Sequence, residues 1–164
     1  MNENLVIGIG NPILTDDGIG PFVVRKLQDK FENQNIPFDF KINYTSGIDL
    51  LLELVGYKRV LIIDSIKCYS EKPGSCYFMK IDELNDFKFS GFLNTHGVNF
   101  TSLWELGKKL KLEMPADCHL FGIVAGDCTS FGENFTAGIS LNIEKIVAEI
   151  INHILSWDVW KLLT

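Results

Sequence analysis

Long hydrophobic runs are missing from this sequence of 164 residues. The longest fully apolar runs, such as residues 60–63, are far shorter than the roughly 20 residues that a helix needs to cross a bilayer. The opening residues 1–4 carry neither the basic patch nor the apolar stretch of a signal peptide. Basic residues are also in the minority, 15 against 21 acidic ones, for a net charge of −6, whereas nucleic-acid binding needs clustered lysine and arginine. We therefore expect a cytoplasmic protein that binds neither membrane nor nucleic acid.

Cysteine is scarce, with four residues, and its spacing lacks the C-x-x-C unit of zinc and redox sites. Cys68 and Cys76 are eight residues apart, and Cys118 and Cys128 are ten apart. The favoured interpretation is four reduced, mostly apolar thiols. A Cys68–Cys76 bridge across a hairpin and a thiolate metal ligand remain as alternatives.

Linkers, repeats and low-complexity stretches are also absent, and the composition of 46% hydrophobic and 22% charged residues is that of a globular protein. This length predicts one domain, covering residues 1–164. A domain of about 150 residues buries roughly 70% of its unfolded surface, so a core can form without disulfides or structural metals.

Apolar strand patterns alternate with helical patterns along the chain. The predicted strands cover residues 4–10, 37–44, 59–63, 75–81 and 119–125. The predicted helices cover residues 18–31, 48–55, 98–110 and 143–155. This alternation predicts an α/β fold with three layers, α/β/α: a twisted, mostly parallel sheet of about five strands with helices on both faces. In such a sheet the functional crevice lies beyond the carboxyl ends of the strands.

Three segments lie just beyond an apolar run or just before a helix: residues 8–18 (GIGNPILTDDG), 63–65 (IDS) and 94–97 (NTHG).

The first segment, residues 8–18, is a weak match to a nucleotide-binding loop. A G-x-G-x-x-G motif needs glycine where Ile13 stands, and no Gly-Lys-Ser/Thr ending follows. Two carboxylates at the start of a helix would also repel phosphate. Nucleotide binding is kept as an alternative.

Acidic residues and a histidine are the better candidates for chemistry. One of Asp16 and Asp17 is expected to cap the following helix, which leaves the other to face the crevice. Asp64 directly follows four apolar residues, where burial is costly unless it is paired or binds a cation; a cap or turn at the strand end is the alternative. His96 could bind a metal, act as a general base or be an ordinary polar loop residue. Two carboxylates and one imidazole in a shared crevice would suit a divalent metal with positions left open for substrate.

Other hydrolase motifs are missing. Ser46 and Ser65 lack the G-x-S-x-G turn of a serine hydrolase, and no H-E-x-x-H helix is present for a zinc peptidase. His119 opens a predicted strand and His153 lies beside the apolar stripe of the last helix, so both are interpreted as structural. A hydrolase with this sequence would not be a familiar serine or zinc enzyme.

In their order along the chain, these segments resemble the hydrogenase maturation proteases, the endopeptidases that finish the large subunit of nickel–iron hydrogenases. Residues 8–21, G-I-G-N-P-I-L-T-D-D-G-I-G-P, are similar to the most specific signature of that family. The strand that leads to Asp64, the position of His96 before a helix, and residues 121–124 and 131–134 extend the resemblance. It covers the chain from about residue 4 to residue 155.

The resemblance implies a single cut near the C-terminus of a hydrogenase large-subunit precursor, made after nickel insertion. The nickel would be supplied by the substrate as the recognition element, with no permanently bound cofactor. Asp17, Asp64 and His96 would be both the metal-contacting and the catalytic residues. Some family members have Glu at the position of Asp17, and the choice between Asp16 and Asp17 stays open. A nickel carrier that does not cut and a nucleotide-binding α/β domain are the alternatives.

Overall fold

The computed structural model describes residues 2–44, 47–86 and 100–156. Its strands are β1 (Asn4–Ile9), β2 (Phe38–Asn43), β3 (Arg59–Ile66), β4 (Cys76–Lys80) and β5 (Asp117–Val124). Its α-helices are α1 (Ile19–Phe31), α2 (Ile48–Leu54), α3 (Phe100–Lys109), α4 (Ala137–Ser140) and α5 (Ile143–Ser156). Short 3₁₀ turns cover Thr15–Gly18 and Ile81–Asp86. Within these described ranges, no helix has the length and apolar character that a membrane crossing requires.

The five strands form one sheet in the order β2-β1-β3-β5-β4. The first four of these run parallel, and β4 is antiparallel to β5. Strand β1 is buried along its whole length, and β3 and β5 are buried at every residue after the first, because helices cover both faces of the sheet. The predicted fold class, a mostly parallel α/β/α sheet of about five strands, is confirmed.

Alternate residues of each strand enter two separate cores, as the two-residue period of a strand requires. Leu5, Ile7, Val60 and Ile62 pack on one face with side chains of α2 and α3. Val6, Leu61, Ile63 and Phe121 pack on the other face with α1 and α5. The helical stripes predicted from the sequence supply these contacts, through Ile19, Val23, Leu27 and Phe31 of α1 and Ile146, Ile150 and Ile154 of α5.

Strand β3 is longer than its sequence pattern predicts. The prediction ended the strand at residue 63 and placed Asp64 directly after it, but β3 continues to Ile66. Asp64 is therefore a strand residue, in register with Gly122 of β5. The prediction was wrong because backbone pairing with β5 continues through Ser65 and Ile66, whatever the polarity of the side chains.

Candidate functional site

Glycines let the segment after β1 fold back onto the carboxyl end of the sheet. A Cβ atom on Gly8 would lie 2.3 Å from the carbonyl oxygen of Gly20, and one on Gly10 would lie 1.8 Å from that of Asp17. Gly10 also has a φ of +141°, which side-chain-bearing residues rarely adopt. Close packing of the Thr15–Gly18 turn and of α1 against β1 accounts for both glycines of the motif, so they are not evidence for a phosphate site.

Asp16 fastens this turn to a distant part of the chain. Its side chain is fully buried, and it accepts hydrogen bonds from the backbone N–H groups of Gly126 (2.7 Å), Asp127 (3.1 Å) and Thr136 (2.7 Å). The Thr136 hydroxyl donates a fourth bond, also at 2.7 Å. These donors offset the cost of burying the carboxylate and use both of its oxygens. Asp16 is therefore a structural residue.

The expectation that Asp16 or Asp17 caps the first long helix is wrong. Neither the Thr15–Gly18 turn nor α1 has a side-chain cap hydrogen bond. The donors that bind Asp16 come from residues more than 100 positions away, and a capping rule that uses local sequence does not include them.

Thr15 gives the same turn a second attachment. It has a φ of +43°, which is unfavourable for a β-branched side chain. Its N–H donates to the carbonyl of Gly132 at 2.8 Å, and its hydroxyl donates to the carbonyl of Ser130 at 2.7 Å. The segment 126–136 thus holds the turn in a backbone conformation that local preference would not select.

Asp17 and Asp64 both bind Ser65. Asp17 is 0% exposed; its Oδ2 accepts from the N–H of Asn11 at 2.8 Å, and its Oδ1 accepts from the Ser65 hydroxyl at 3.0 Å. Asp64 is 1% exposed, and its Oδ1 accepts from the Ser65 backbone N–H at 2.8 Å. The structure therefore brings two of the three predicted site residues into contact with the same residue, Ser65, at the carboxyl end of β3.

The two acids reach this point from opposite faces of the sheet. Alternation along β3 places Asp64 with Val60 and Ile62 on the face covered by α2 and α3. It places Ser65 with Leu61 and Ile63 on the other face, which α1 covers and where Asp17 lies. The third predicted residue, His96, falls in residues 87–99, outside the described part of the chain.

Cys128 is the next neighbour of Ser65. Its buried sulfur lies 3.5 Å from the Ser65 hydroxyl oxygen. Burial, together with the negative charge of Asp17, raises the pKa of the Cys128 thiol to about 11. The thiol is therefore protonated at neutral pH. Because the hydroxyl proton of Ser65 is already donated to Asp17, the thiol is the donor to Ser65.

All four cysteines are free thiols, which agrees with the favoured interpretation of their spacing. Burial raises the pKa of Cys76 to about 12 and that of Cys118 well above its ordinary value. Ser65 and Cys128 were not predicted as site residues. The position of Ser65 next to Asp64 was the available signal, whereas nothing in the sequence links Cys128 to either acid.

A small cavity of about 200 Å³ opens beyond the ends of β3 and β5. Its lining comes from residues 67–69 and 125–129, and includes Cys128. On its rim, hydrogen bonds from Ser130 and Thr129 lower the pKa of Asp127, which keeps this carboxylate ionised. The cavity is smaller than the roughly 300–1,000 Å³ of a typical small-molecule or cofactor pocket.

A larger cavity, of about 540 Å³, is lined by residues in the ranges 12–25 and 133–143. Its lining is mostly apolar, and Arg25 and Glu133 add one charge of each sign. Asp17 and Asp64 are not among its lining residues, so volume alone does not mark the chemical centre.

Among the residues that the structure describes, no three His, Cys, Asp or Glu side chains are arranged to hold a metal ion. Asp17 and Asp64 can supply only carboxylate oxygens as metal ligands. A metal at this point would need further ligands, from residues outside the described ranges or from a substrate.

Known proteins resemble this chain over most of its length. A family profile described as hydrogenase maturation protease (HycI) matches residues 22–157. A Methanocaldococcus jannaschii protein with a provisional hydrogenase maturation protease name is 31% identical over 160 residues, which cover 92% of this chain and 93% of that protein. The hydrogenase 2 maturation protease of Escherichia coli K12 is 25% identical over 122 residues, which cover 73% of this chain and 71% of that protein.

Solved structures share the fold. The hydrogenase maturating endopeptidase HybD from Escherichia coli superposes with a TM-score of 0.71 at 20% identity, covering 94% of this chain and 92% of that one. The HybD [NiFe] hydrogenase maturation protease from Thermococcus kodakarensis gives 0.65 at 23% identity, covering 94% and 99%. From the family match and the full-length relative, we conclude that this chain belongs to the hydrogenase maturation protease family.

Proposed function

We propose that this protein is the endopeptidase that removes the C-terminal extension of a nickel–iron hydrogenase large-subunit precursor after nickel insertion. Family membership supports peptidase activity, and the relatives' names supply the hydrogenase context. The observation that carries the proposal is the meeting of two buried carboxylates, Asp17 and Asp64, at Ser65 on the carboxyl edge of the sheet.

In this proposal the nickel belongs to the substrate. Asp17, Asp64 and His96 would complete the coordination of a nickel ion that the precursor already holds through its own ligands. Oxygen and imidazole ligands suit divalent nickel. A precursor without nickel would lack the central contact, and the enzyme would leave it uncut.

Binding through the nickel would also place the scissile peptide. Hydrolysis adds water to the peptide carbonyl and breaks the C–N bond, with a proton passing to the leaving amine. Holding the peptide in one position lowers the entropic part of that barrier, which can amount to several kcal/mol. The cavity at residues 67–69 and 125–129 lies next to Cys128 and Ser65, and would receive a side chain beside the cut.

The test is incubation with candidate large-subunit precursors, with and without nickel, followed by mass measurement of the released peptide. We expect one peptide from the nickel-loaded precursor and none from the nickel-free form. Asp64→Asn and His96→Gln should abolish release of the peptide. Asp39→Asn is the control and should not, because Asp39 lies on β2, where its carboxylate binds Asn2 and Tyr57.

Two results would contradict the proposal. Unchanged cleavage by Asp64→Asn or His96→Gln would remove the assigned roles. Nickel binding with no cleavage of any loaded precursor would instead favour the nickel-carrier alternative.

A second measurement addresses the source of the metal. Because the nickel is proposed to arrive with the precursor, elemental analysis of the purified chain should find no stoichiometric metal. Tightly bound zinc would indicate a self-contained metallohydrolase instead.

A further inference from the structure

Ser65 binds both acids through two different groups. Its hydroxyl donates to Asp17 Oδ1 at 3.0 Å, and its backbone N–H donates to Asp64 Oδ1 at 2.8 Å. The hydroxyl follows the side chain to the α1 face, while the N–H belongs to the strand that carries Asp64. One residue therefore links two carboxylates that are 47 positions apart in the chain.

The surroundings of Ser65 hold it in place. Its side chain is 3% exposed, and its backbone lies in β3 in register with Ile123 of β5. The sulfur of Cys128 lies 3.5 Å from the hydroxyl oxygen, and the hydroxyl itself donates to Asp17. A buried hydroxyl on a central strand, with a donor and an acceptor at hand, has little freedom to turn.

We propose that Ser65 is a positioning residue, whose hydroxyl holds the Asp17 carboxylate at the orientation in which it and Asp64 reach one nickel ion. This inference rests on the function proposed above. Carboxylates that bind metals are commonly oriented by hydrogen bonds of their own, and loss of such a partner costs about 10–100-fold in metal affinity. Ser65 itself touches neither nickel nor peptide in this role.

The hydroxyl can be removed without disturbing the other bond. Ser65→Ala deletes the donor to Asp17 and keeps the backbone N–H that binds Asp64. Ser65→Thr keeps a hydroxyl, and Ser65→Cys replaces it with a weaker donor of similar length. Ser156→Ala is the matched control, because its hydroxyl donates to the carbonyl of His153 at the end of α5.

Two readouts on the full-length chain test the role. Calorimetric titration with nickel chloride gives the nickel Kd, and processing of nickel-loaded precursor gives kcat and KM. We expect Ser65→Ala to weaken nickel binding by about 10–100-fold and to lower kcat/KM to a similar extent. The expected order of nickel affinity is serine and threonine first, then cysteine, then alanine. Ser156→Ala should match the wild type in both readouts.

Stability is measured in parallel by thermal unfolding. Ser65→Ala should shift the Tm by only about 2–4 °C, as expected for the loss of one hydrogen bond in a chain of this size. Rescue by threonine at an unchanged Tm separates positioning from a general loss of packing.

The inference is overturned if Ser65→Ala keeps wild-type nickel affinity and kcat/KM. It is also overturned if alanine, cysteine and threonine cause equal losses, since the hydroxyl would then not matter. Asp17→Asn and Asp64→Asn in the same assays show which statement has failed. If they lose nickel binding and processing while Ser65→Ala does not, only the role of Ser65 is refuted. If they lose neither, the proposed function fails.

Discussion

At positions 16 and 17, two adjacent aspartates are buried to the same extent but bind different parts of the protein. Asp16 accepts four hydrogen bonds from residues 126, 127 and 136. Asp17 accepts one from Asn11 and one from Ser65 beside Asp64. Residue type and burial are therefore the same at the two positions, and the number of donors separates a structural acid from a candidate ligand.

Asparagine at each position should separate these roles. Asp16→Asn replaces one acceptor oxygen with an NH2 group, a donor that faces the donors of residues 126–136. It should lower the free energy of unfolding by about 3 kcal/mol or more, since hydrogen bonds to a charged group contribute about 1.5–3 kcal/mol each. Asp17→Asn should cost less, about 1–2 kcal/mol, because Asp17 accepts only two hydrogen bonds and the amide oxygen can keep one of them. Urea unfolding measures both changes.

In the processing assay, Asp17→Asn should be inactive although folded. Cleavage at the wild-type rate by this variant would contradict the assignment of Asp17.

Gly10 and Gly56 form a second matched pair. Gly10→Ala would place Cβ 1.8 Å from the Asp17 carbonyl oxygen at a φ of +141°, and should cost roughly 2–5 kcal/mol through overpacking and backbone strain. Gly56 has a φ of +86° with nothing within 4 Å of the added atom, so Gly56→Ala should cost only about 1–2 kcal/mol. Equal changes in urea unfolding would show that the contact with Asp17 is not what requires glycine at position 10.

Residue types and their order predicted part of the candidate site. The structure brings Asp17 and Asp64 to Ser65. The sequence singled out Asp64, because an acid after an apolar run needs a partner, and one of the two acids at positions 16 and 17, because a cap uses only one of them. It did not separate Asp17 from Asp16, since the donors to Asp16 lie more than 100 residues away. Cys128 could not be found for the same reason. Its contact with Ser65 depends on how the segment after β5 folds over the sheet.

At the scale of elements, hydrophobic periodicity predicted the strands and the long helices well and their ends less well. Strand β3 runs three residues past its apolar part because Asp64, Ser65 and Ile66 continue the ladder with β5. The spacing of apolar residues indicates which residues are buried, whereas a strand ends where its backbone hydrogen bonding to the neighbouring strand ends. That difference moved Asp64 from the loop after the strand into the strand itself.

Helix α5 packs on the edge of the sheet through an aromatic stack. The Phe78 ring of β4 stacks on His119 with ring centroids 4.7 Å apart and on His153 of α5 at 4.1 Å. Burial lowers the pKa of both histidines, and it outweighs the nearby carboxylates of Asp117 and Glu149, which act in the opposite direction. The folded protein therefore favours neutral imidazoles at this contact.

This contact predicts acid sensitivity. In the unfolded chain both histidines titrate near 6.5, and in the folded chain their pKa values are lower, so the unfolded state binds more protons as the pH falls. The histidine contribution to stability should be complete above pH 6.5 and decline below it. Urea unfolding between pH 5 and pH 8 measures the slope. His153→Phe keeps a ring against Phe78 without a titrating group and should flatten the curve, and an unchanged slope would contradict this account.

At the scale of the whole molecule, the family and the fold are those of the hydrogenase maturation proteases. The glycines at positions 8 and 10 only resemble those of a nucleotide-binding protein. Gly8 and Gly10 are required by contacts with Gly20 and Asp17. ATP and NAD should therefore leave the Tm unchanged, since a ligand that binds the folded state must raise it. The nickel-loaded precursor is the positive control in the same assay, where its binding should raise the Tm. A rise in Tm with either nucleotide would restore the nucleotide-binding alternative.

The hydrogen bonds between Asp16 and residues 126–136 can form only late in the synthesis of the chain. A ribosome releases the GIGNPILTDDG loop first and its anchoring segment only after three quarters of the chain. Until Thr136 has emerged and β5 has joined the sheet, the hydrogen bonds that join Thr15 and Asp16 to residues 126–136 cannot all form. Chains that end before residue 136 would consequently lack the bonds that hold this turn at the carboxyl end of the sheet.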